Sequence, residues 1–310
     1  MIQERQLDQA TSKTQRAVAE KVLPKQSRFN YVMRSLRRNR VGVLGMCIVS
    51  FVLLVTVFGP FFAPHDPLKH NLRARFESPG YSDANGTYLL GTDQLGRDIL
   101  SRVIAGARVS VVVGVVSVVI AGVIGVSYGL LSGFAGGLLD NFMMRVADAF
   151  LAIPFIVLVV AVSGVVGAGL VTLIVILGVT SWVSYARVTR AEVLAAREMD
   201  YVMAAKALGQ NDLKIMFRHI LPNVTGSIIV LATMMVATTM LAEAALSFLG
   251  LGVQPPTVTW GLMLSDGRQY IGSAWWMSTF PGIAITITVL GVVFVGDWLR
   301  DLLDPQLRGQ

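Results

Sequence analysis

From Val109 to Leu139 the chain runs 31 residues without a charge, and from Ala149 to Ala186 it runs 38. A helix rising about 1.5 Å per residue needs only about 20 apolar residues to cross about 30 Å of hydrocarbon. The first run therefore exceeds one crossing and the second suffices for two. Across all 310 residues 54% are hydrophobic and only 15% charged, which excludes an ordinary water-soluble domain. The natural solvent of such a chain is a bilayer.

The apolar runs and their punctuation predict an all-α integral membrane protein with six crossings, at 41–63, 109–131, 149–165, 168–187, 225–249 and 279–298. Gly164, Gly167 and Gly169 mark the reversal between the third and fourth. Gly114, Gly122, Gly125 and Gly129 suit close approach of a neighbouring helix to the second. The connecting segments are 64–108, 132–148, 188–224 and 250–278, with tails at 1–40 and 299–310. Segment 64–108 is polar and turn-rich, and Asn85-Gly86 suits a hairpin. Trp275 and Trp276 read as an interfacial anchor before the last crossing.

The first 40 residues hold ten Lys or Arg but lack the apolar centre and cleavage site of a signal peptide, so the first crossing is expected to direct insertion. Phe29, Met33 and Leu36 recur at helical spacing among arginines, the pattern of an interfacial helix on anionic lipid. With both termini cytoplasmic, 19 Lys and Arg fall on the inner side and seven on the outer, as the positive-inside rule requires.

Several function classes drop out. The net charge of +7 is spread between apolar runs and not gathered on a basic domain, so nucleic acid is not an expected partner. No G-x-x-x-x-G-K-[ST] or H-E-x-x-H sequence occurs, removing a phosphate-cradling loop and a helical zinc site. His65, His70 and His219 all fall in connecting segments, so neither a metal site nor a base for an intramembrane nucleophile such as Ser163 is expected. The single cysteine, Cys47, lies in the first apolar run and forms no internal disulfide. An ion-coupled carrier is the rival class, and it calls for ionisable residues at mid-membrane. Glu243, about 27 Å into the fifth crossing at helical rise, is the candidate. With Ser247 one turn on, it reads equally as a pathway or gate group and as a structural partner.

Segment 188–224 carries helix formers on both sides of Gly209, alanine-rich before it, and a proline, Pro222, just before the fifth crossing. A helix, a glycine break and a second helix make a protrusion suited to a partner's groove. The residues Met203-Ala204-Ala205 followed by Gly209, and His219-Ile220-Leu221-Pro222, resemble the EAA motif of binding-protein-dependent ABC import permeases. Met203 stands where the family has glutamate and His219 where it has isoleucine.

Three further segments resemble the C-type permease of dipeptide and oligopeptide importers. They are Leu89-Leu90-Gly91-Thr92-Asp93-Gln94-Leu95-Gly96-Arg97-Asp98 continuing to Ser101-Arg102 and Gly106-Ala107-Arg108, Glu243-Ala244-Ala245-Leu246-Ser247-Phe248-Leu249-Gly250-Leu251-Gly252 with Gln254-Pro255-Pro256 and Trp260-Gly261, and Gly296-Asp297-Trp298-Leu299-Arg300-Asp301 with Asp304-Pro305. The resemblance implies a type I ABC importer permease fold in a bacterial inner membrane, and a non-catalytic transport subunit. It implies pairing with a second homologous permease, two ATPases that hold ATP and Mg, and an extracytoplasmic peptide-binding protein. Tyr201, Ala204, Ala205, Lys206, Ala207, Leu208, Gly209, Leu221 and Pro222 would then couple the permease to the ATPases. Asp93, Arg97 and Asp98 would either dock the binding protein or hold the outer loop. Nickel, glutathione and antimicrobial peptides remain alternative cargoes within the same family.

Overall fold

The computed structural model describes residues 35, 36 and 39–303. The interfacial helix expected around Phe29 and Met33, and the pair Asp304-Pro305, lie outside the described residues.

Helix α1 is Arg40–Phe62, and α2 is Ile99–Ala135. Helices α3, Gly137–Leu151, and α4, Phe155–Val166, are bent 78° from one another. After α5, Leu170–Arg197, come the short α6, Asp200–Ala207, and α7, Asp212–Ile215. A π turn, Met216–Ile220, joins α7 to α8, Leu221–Phe248. The chain then forms α9, Trp260–Gly267, and α10, Trp276–Leu303. Helices α1, α2, α5 and α10 and the continuous run Asp212–Phe248 are each long and apolar enough to cross a bilayer, and the bent pair α3–α4 adds a sixth candidate.

Helix α2 begins ten residues before the apolar run expected to cross. The Asp98 carboxylate accepts from the Ser101 amide at 2.9 Å and starts the helix there, which apolarity alone does not register. It ends at Gly136, whose φ of +66° carries the chain out of the helix.

The central feature is the packing of α2 on α5. A Cβ on Gly125 would lie 2.5 Å from Tyr185 Cβ, one on Gly129 2.9 Å from Thr189 Cβ, and one on Gly133 3.0 Å from Val193 Cβ. Glycine at this four-residue interval lets the two backbones touch. Gly122, expected in the same role, is not squeezed, since Tyr185 stays 3.8 Å away. Gly114 receives Met240 of α8 instead.

Contacts rise together along α2 and α5, from Ser117 with Ile174 to Gly133 with Arg190, so the helices run parallel. A parallel pair forces the intervening chain to return the whole way. Residue 170 is level with about residue 113, about 33 Å back from residue 135 at helical rise. Helices of 15 and 12 residues bent by 78° reach about 31 Å end to end before their link is added. The third crossing is therefore a broken helix, where a single helix at 149–165 was expected. Its first half, α3, falls largely within the segment 132–148 expected to connect crossings, where Asp140, Arg145 and Asp148 interrupt the apolar pattern.

Near the Ile99 end of α2, side chains of α2, α8, α9 and α10 share one core: Ile99, Ala107, Met240, Ala244, Trp260, Met263 and Met277. Trp276 belongs to that core, 6% exposed, and donates to the Thr92 carbonyl at 3.0 Å. Of the expected aromatic anchor only Trp275 is exposed. The hairpin forms as β1, Tyr81–Asp83, against β2, Gly86–Tyr88.

Candidate functional site

Helix α6 closes with a paired carbonyl cap. The Gly209 amide bonds to Lys206 O at 2.9 Å and the Gln210 amide to Ala205 O at 3.1 Å, with Gly209 at φ +72°. This is the Schellman arrangement, and it requires the left-handed backbone that glycine adopts without strain. Asn211 then caps α7 by accepting from the Leu213 amide at 3.0 Å.

One face of α6 is buried. Val202 and Ala205 pack with Leu130 of α2, Val193 and Ala196 of α5, and Ile215, Ile220 and Val224 of the following run. The opposite face is open: Tyr201, Met203, Ala204, Lys206, Ala207, Leu208 and Gly209 are all exposed, Leu208 by 80%. The nine residues expected to act together therefore divide. Ala205 and the half-buried Leu221 face inward, whereas Pro222 is exposed in the first turn of α8. The π turn before it, with the Leu221 amide on Met216 O, accommodates a residue that has no amide to give. His219 has a local reason: its Nε2 lies 2.9 Å from Gln210 Oε1, tying the start of α7 to the π turn.

The Gly136 end of α2 is held around α6. Arg190 of α5 donates through Nε and Nη2 to both oxygens of Asp140 on α3, each at 2.6 Å, and Ser132 of α2 bonds the same carboxylate. Arg197 reaches the carbonyls of Gly133 and Phe134 at 3.4 Å. The Lys206 ammonium sits 5.2 Å from the Phe134 ring centre. Sequence reasoning missed this clamp. Its one signal was Asp140, the acid that ends the uncharged run from Val109.

At the other end of α2, Asp93, Arg97 and Asp98 turn inward. Arg97 Nε donates to Asp93 Oδ2 at 2.6 Å, Arg102 bonds the same oxygen, and Arg102 Nη2 reaches Asp266 at 3.2 Å. Asp93 is fully buried, and Arg102 and Asp98 are each 2% exposed. Asp93 also takes the amides of Leu95 and Arg97. Asp266, 173 positions further along the sequence, closes the network and has no local sequence signal.

Glu243 and Ser247 are buried together. Glu243 accepts from Ser247 at 2.8 Å and from Ser110 of α2 at 3.2 Å, and the Trp260 amide of α9 donates to Ser110 at 3.3 Å. The carboxylate thus joins α8, α2 and α9 through neutral donors, with no cationic partner among its hydrogen bonds. Among the described residues no cluster of three His, Cys, Asp or Glu side chains forms a metal site.

Comparison with known proteins agrees with this architecture. Residues 125–309 match the family model described as binding-protein-dependent transport system inner membrane component, and residues 27–79 match the N-terminal TM domain of oligopeptide transport permease C. The chain is 45% identical over 273 residues to the dipeptide transport system permease protein DppC of Escherichia coli K12, covering 88% of this chain and 91% of that one. It is 40% identical over 276 residues to the di/tripeptide permease DppC of Pseudomonas aeruginosa, covering 89% and 91%. It is also 40% identical over 291 residues to the oligopeptide permease OppC of Bacillus subtilis, covering 94% of each chain. An inward-facing structure of the MetNI methionine ABC transporter superposes with a TM-score of 0.52 at 23% identity, over 65% of this chain and 96% of that one, a likeness of fold. The chain belongs to the family of binding-protein-dependent transport system inner membrane components, with the amino-terminal segment of the permease C type.

Proposed function

We propose that this chain is the C-type permease of an ATP-driven importer of dipeptides or oligopeptides, and that it contributes half of the translocation path. The observation that carries the coupling part is α6. It is a short helix capped at Gly209, buried on one face against three membrane helices and open on the other, where Tyr201, Met203 and Leu208 stand exposed beside Lys206. A partner that seats the open face and moves will displace α2, α5 and α8 together. In this reading two ATPases hold ATP and Mg and supply that motion from the cytoplasm. A homologous permease completes the path, and an extracytoplasmic binding protein delivers peptide. The side bearing α6 is then cytoplasmic, in a bacterial inner membrane. Peptide as cargo rests on the names of the relatives, several of which are dipeptide and oligopeptide permeases.

In the same reading Asp93, Arg97 and Arg102 hold the outer loop to α2, with their charges spent on one another and on Asp266, while Asp98 caps α2 through Ser101. Glu243 and Ser247 fasten α8 to α2 and α9. The proposal is tested by purifying the tagged chain in mild detergent from its native membrane, identifying its partners by mass spectrometry, and reconstituting the complex in liposomes. Peptide uptake that needs ATP and the binding protein is expected. Uptake by the chain alone, abolished by an uncoupler and indifferent to ATP, would overturn it in favour of an ion-coupled carrier.

A further inference from the structure

We propose that the hydroxyls of Tyr185 and Thr189 bias the permease against the arrangement in which α8 lies closed on α2 and α5, and so set how readily it alternates. This rests on the reading of the chain as an importer permease.

Both side chains stand on α5, one helical turn apart and on one face. Both are buried, Tyr185 1% exposed and Thr189 fully covered, and among the described residues neither hydroxyl has a hydrogen-bond partner. The tyrosine ring lies among the apolar side chains of Val118 and Ala121 of α2 and Ile228, Leu231 and Met235 of α8. Thr189 departs from the habit of other threonines in the crossings. Thr180 returns its hydroxyl to Ile176 O at 2.8 Å, Thr225 to Leu221 O at 2.6 Å and Thr288 to Ala284 O at 2.7 Å. Thr189 makes no such bond and is pressed against Gly129 of α2.

A hydroxyl that gives up its partners on burial and receives none in exchange opposes the burial. Two of them one turn apart oppose the same contact. The glycine contacts set α2 and α5 backbone against backbone, so these two move as a pair. Helix α8 meets the pair at the level of Tyr185 through side chains, and side chains can slide where locked backbones cannot. The lower end of this contact is tied to α6: Val193 and Ala196 of α5 pack with it, as do Ile220 and Val224 at the entry to α8. A push on α6 therefore reaches both sides of a contact that its own hydroxyls already weaken. Phenylalanine and valine in the same places would hold that contact shut.

The test uses the complete importer carrying Y185F or T189V, with T180V as the control whose hydroxyl is bonded. In the Cys47→Ser background, spin labels on the exposed positions V179C and T238C report the separation of α5 and α8 at rest and during ATP turnover. Y185F and T189V should each enrich the closed separation about fivefold or more during turnover, lengthen survival of the assembled complex at a fixed inactivating temperature, and slow peptide uptake. T180V should shift none of these in that direction. Shorter survival of Y185F and T189V would show that their hydroxyls have partners, bridging water included, and would overturn the proposal. So would longer survival with the separation and the uptake unchanged. The shift in separation with no peptide uptake by any complex, the parent included, would uphold the bias and remove peptide as the cargo.

Discussion

Replacing Gly209 tests whether α6 acts as a stiff contact or a passive linker. A Cβ at this position meets no atom within 4 Å, so bulk by itself costs nothing. The cost comes from φ, which stands at +72°. An L residue held in the left-handed region is strained by about 1–2 kcal/mol, more when β-branched and less for asparagine. Against an eight-residue helix that depends on its cap, this shifts the local equilibrium toward a frayed end about 5- to 30-fold. The purified importer in liposomes is assayed for peptide taken up per ATP hydrolysed, with chain abundance measured in parallel. The expected order is wild type, then G209N, then G209A, then G209V, with hydrolysis retained and uptake falling. Wild-type stoichiometry in G209V would refute the argument, since the strained variant would then transmit as well as the relaxed one. Equal losses for asparagine and valine would refute the role of φ.

Glycine packing gives a paired prediction. G125A should lower the thermal stability of the detergent-purified complex by about 1–3 kcal/mol, because its Cβ meets Tyr185 and the Trp182 carbonyl, while G122A should remain within about 0.5 kcal/mol of wild type. R102A leaves Asp93 buried without its second cation and should cost about 3–5 kcal/mol, read as loss of assembled complex in the membrane. The hairpin should show an acid limit. Hydrogen bonds from the Asn85 amide and from Asn71 hold the Asp83 carboxyl below its ordinary range. A depressed folded value means the stabilisation is complete above about pH 4 and is lost as pH falls through the lower folded value. Cleavage of segment 81–88 by an acid-active protease should therefore rise on acidification in the wild type, and D83N should lack that step.

The uncharged runs were sufficient to predict a helical membrane protein with six crossings, because contiguity over about 20 residues is a local property. The glycine break at Gly209 and the Asn85-Gly86 hairpin were legible for the same reason: a backbone in an unusual region names its residue. The charged candidates were harder. Asp93, Arg97 and Asp98 look like surface residues in a polar loop, yet all three turn inward, because Asp93 pairs with Arg97 and Arg102, both arginines reach Asp266 of α9, and Asp98 accepts from Ser101. The segment around Gly209 was legible as two short helices about a break, but its two faces were not. Helical spacing cannot say that Ala205 is covered by α2 and α5 while Leu208 is open.

Sequence alone thus determined where the chain is apolar, where it must turn and which segment protrudes. Tertiary structure decided what those features serve. The parallel contact of α2 with α5 turned an apparent loop and a short apolar run into one interrupted crossing, and it joined Asp140 to Arg190 across 50 positions. The physical reason is that apolarity and backbone preference belong to neighbours in the chain, whereas burial, charge pairing and the direction of a crossing belong to neighbours in space.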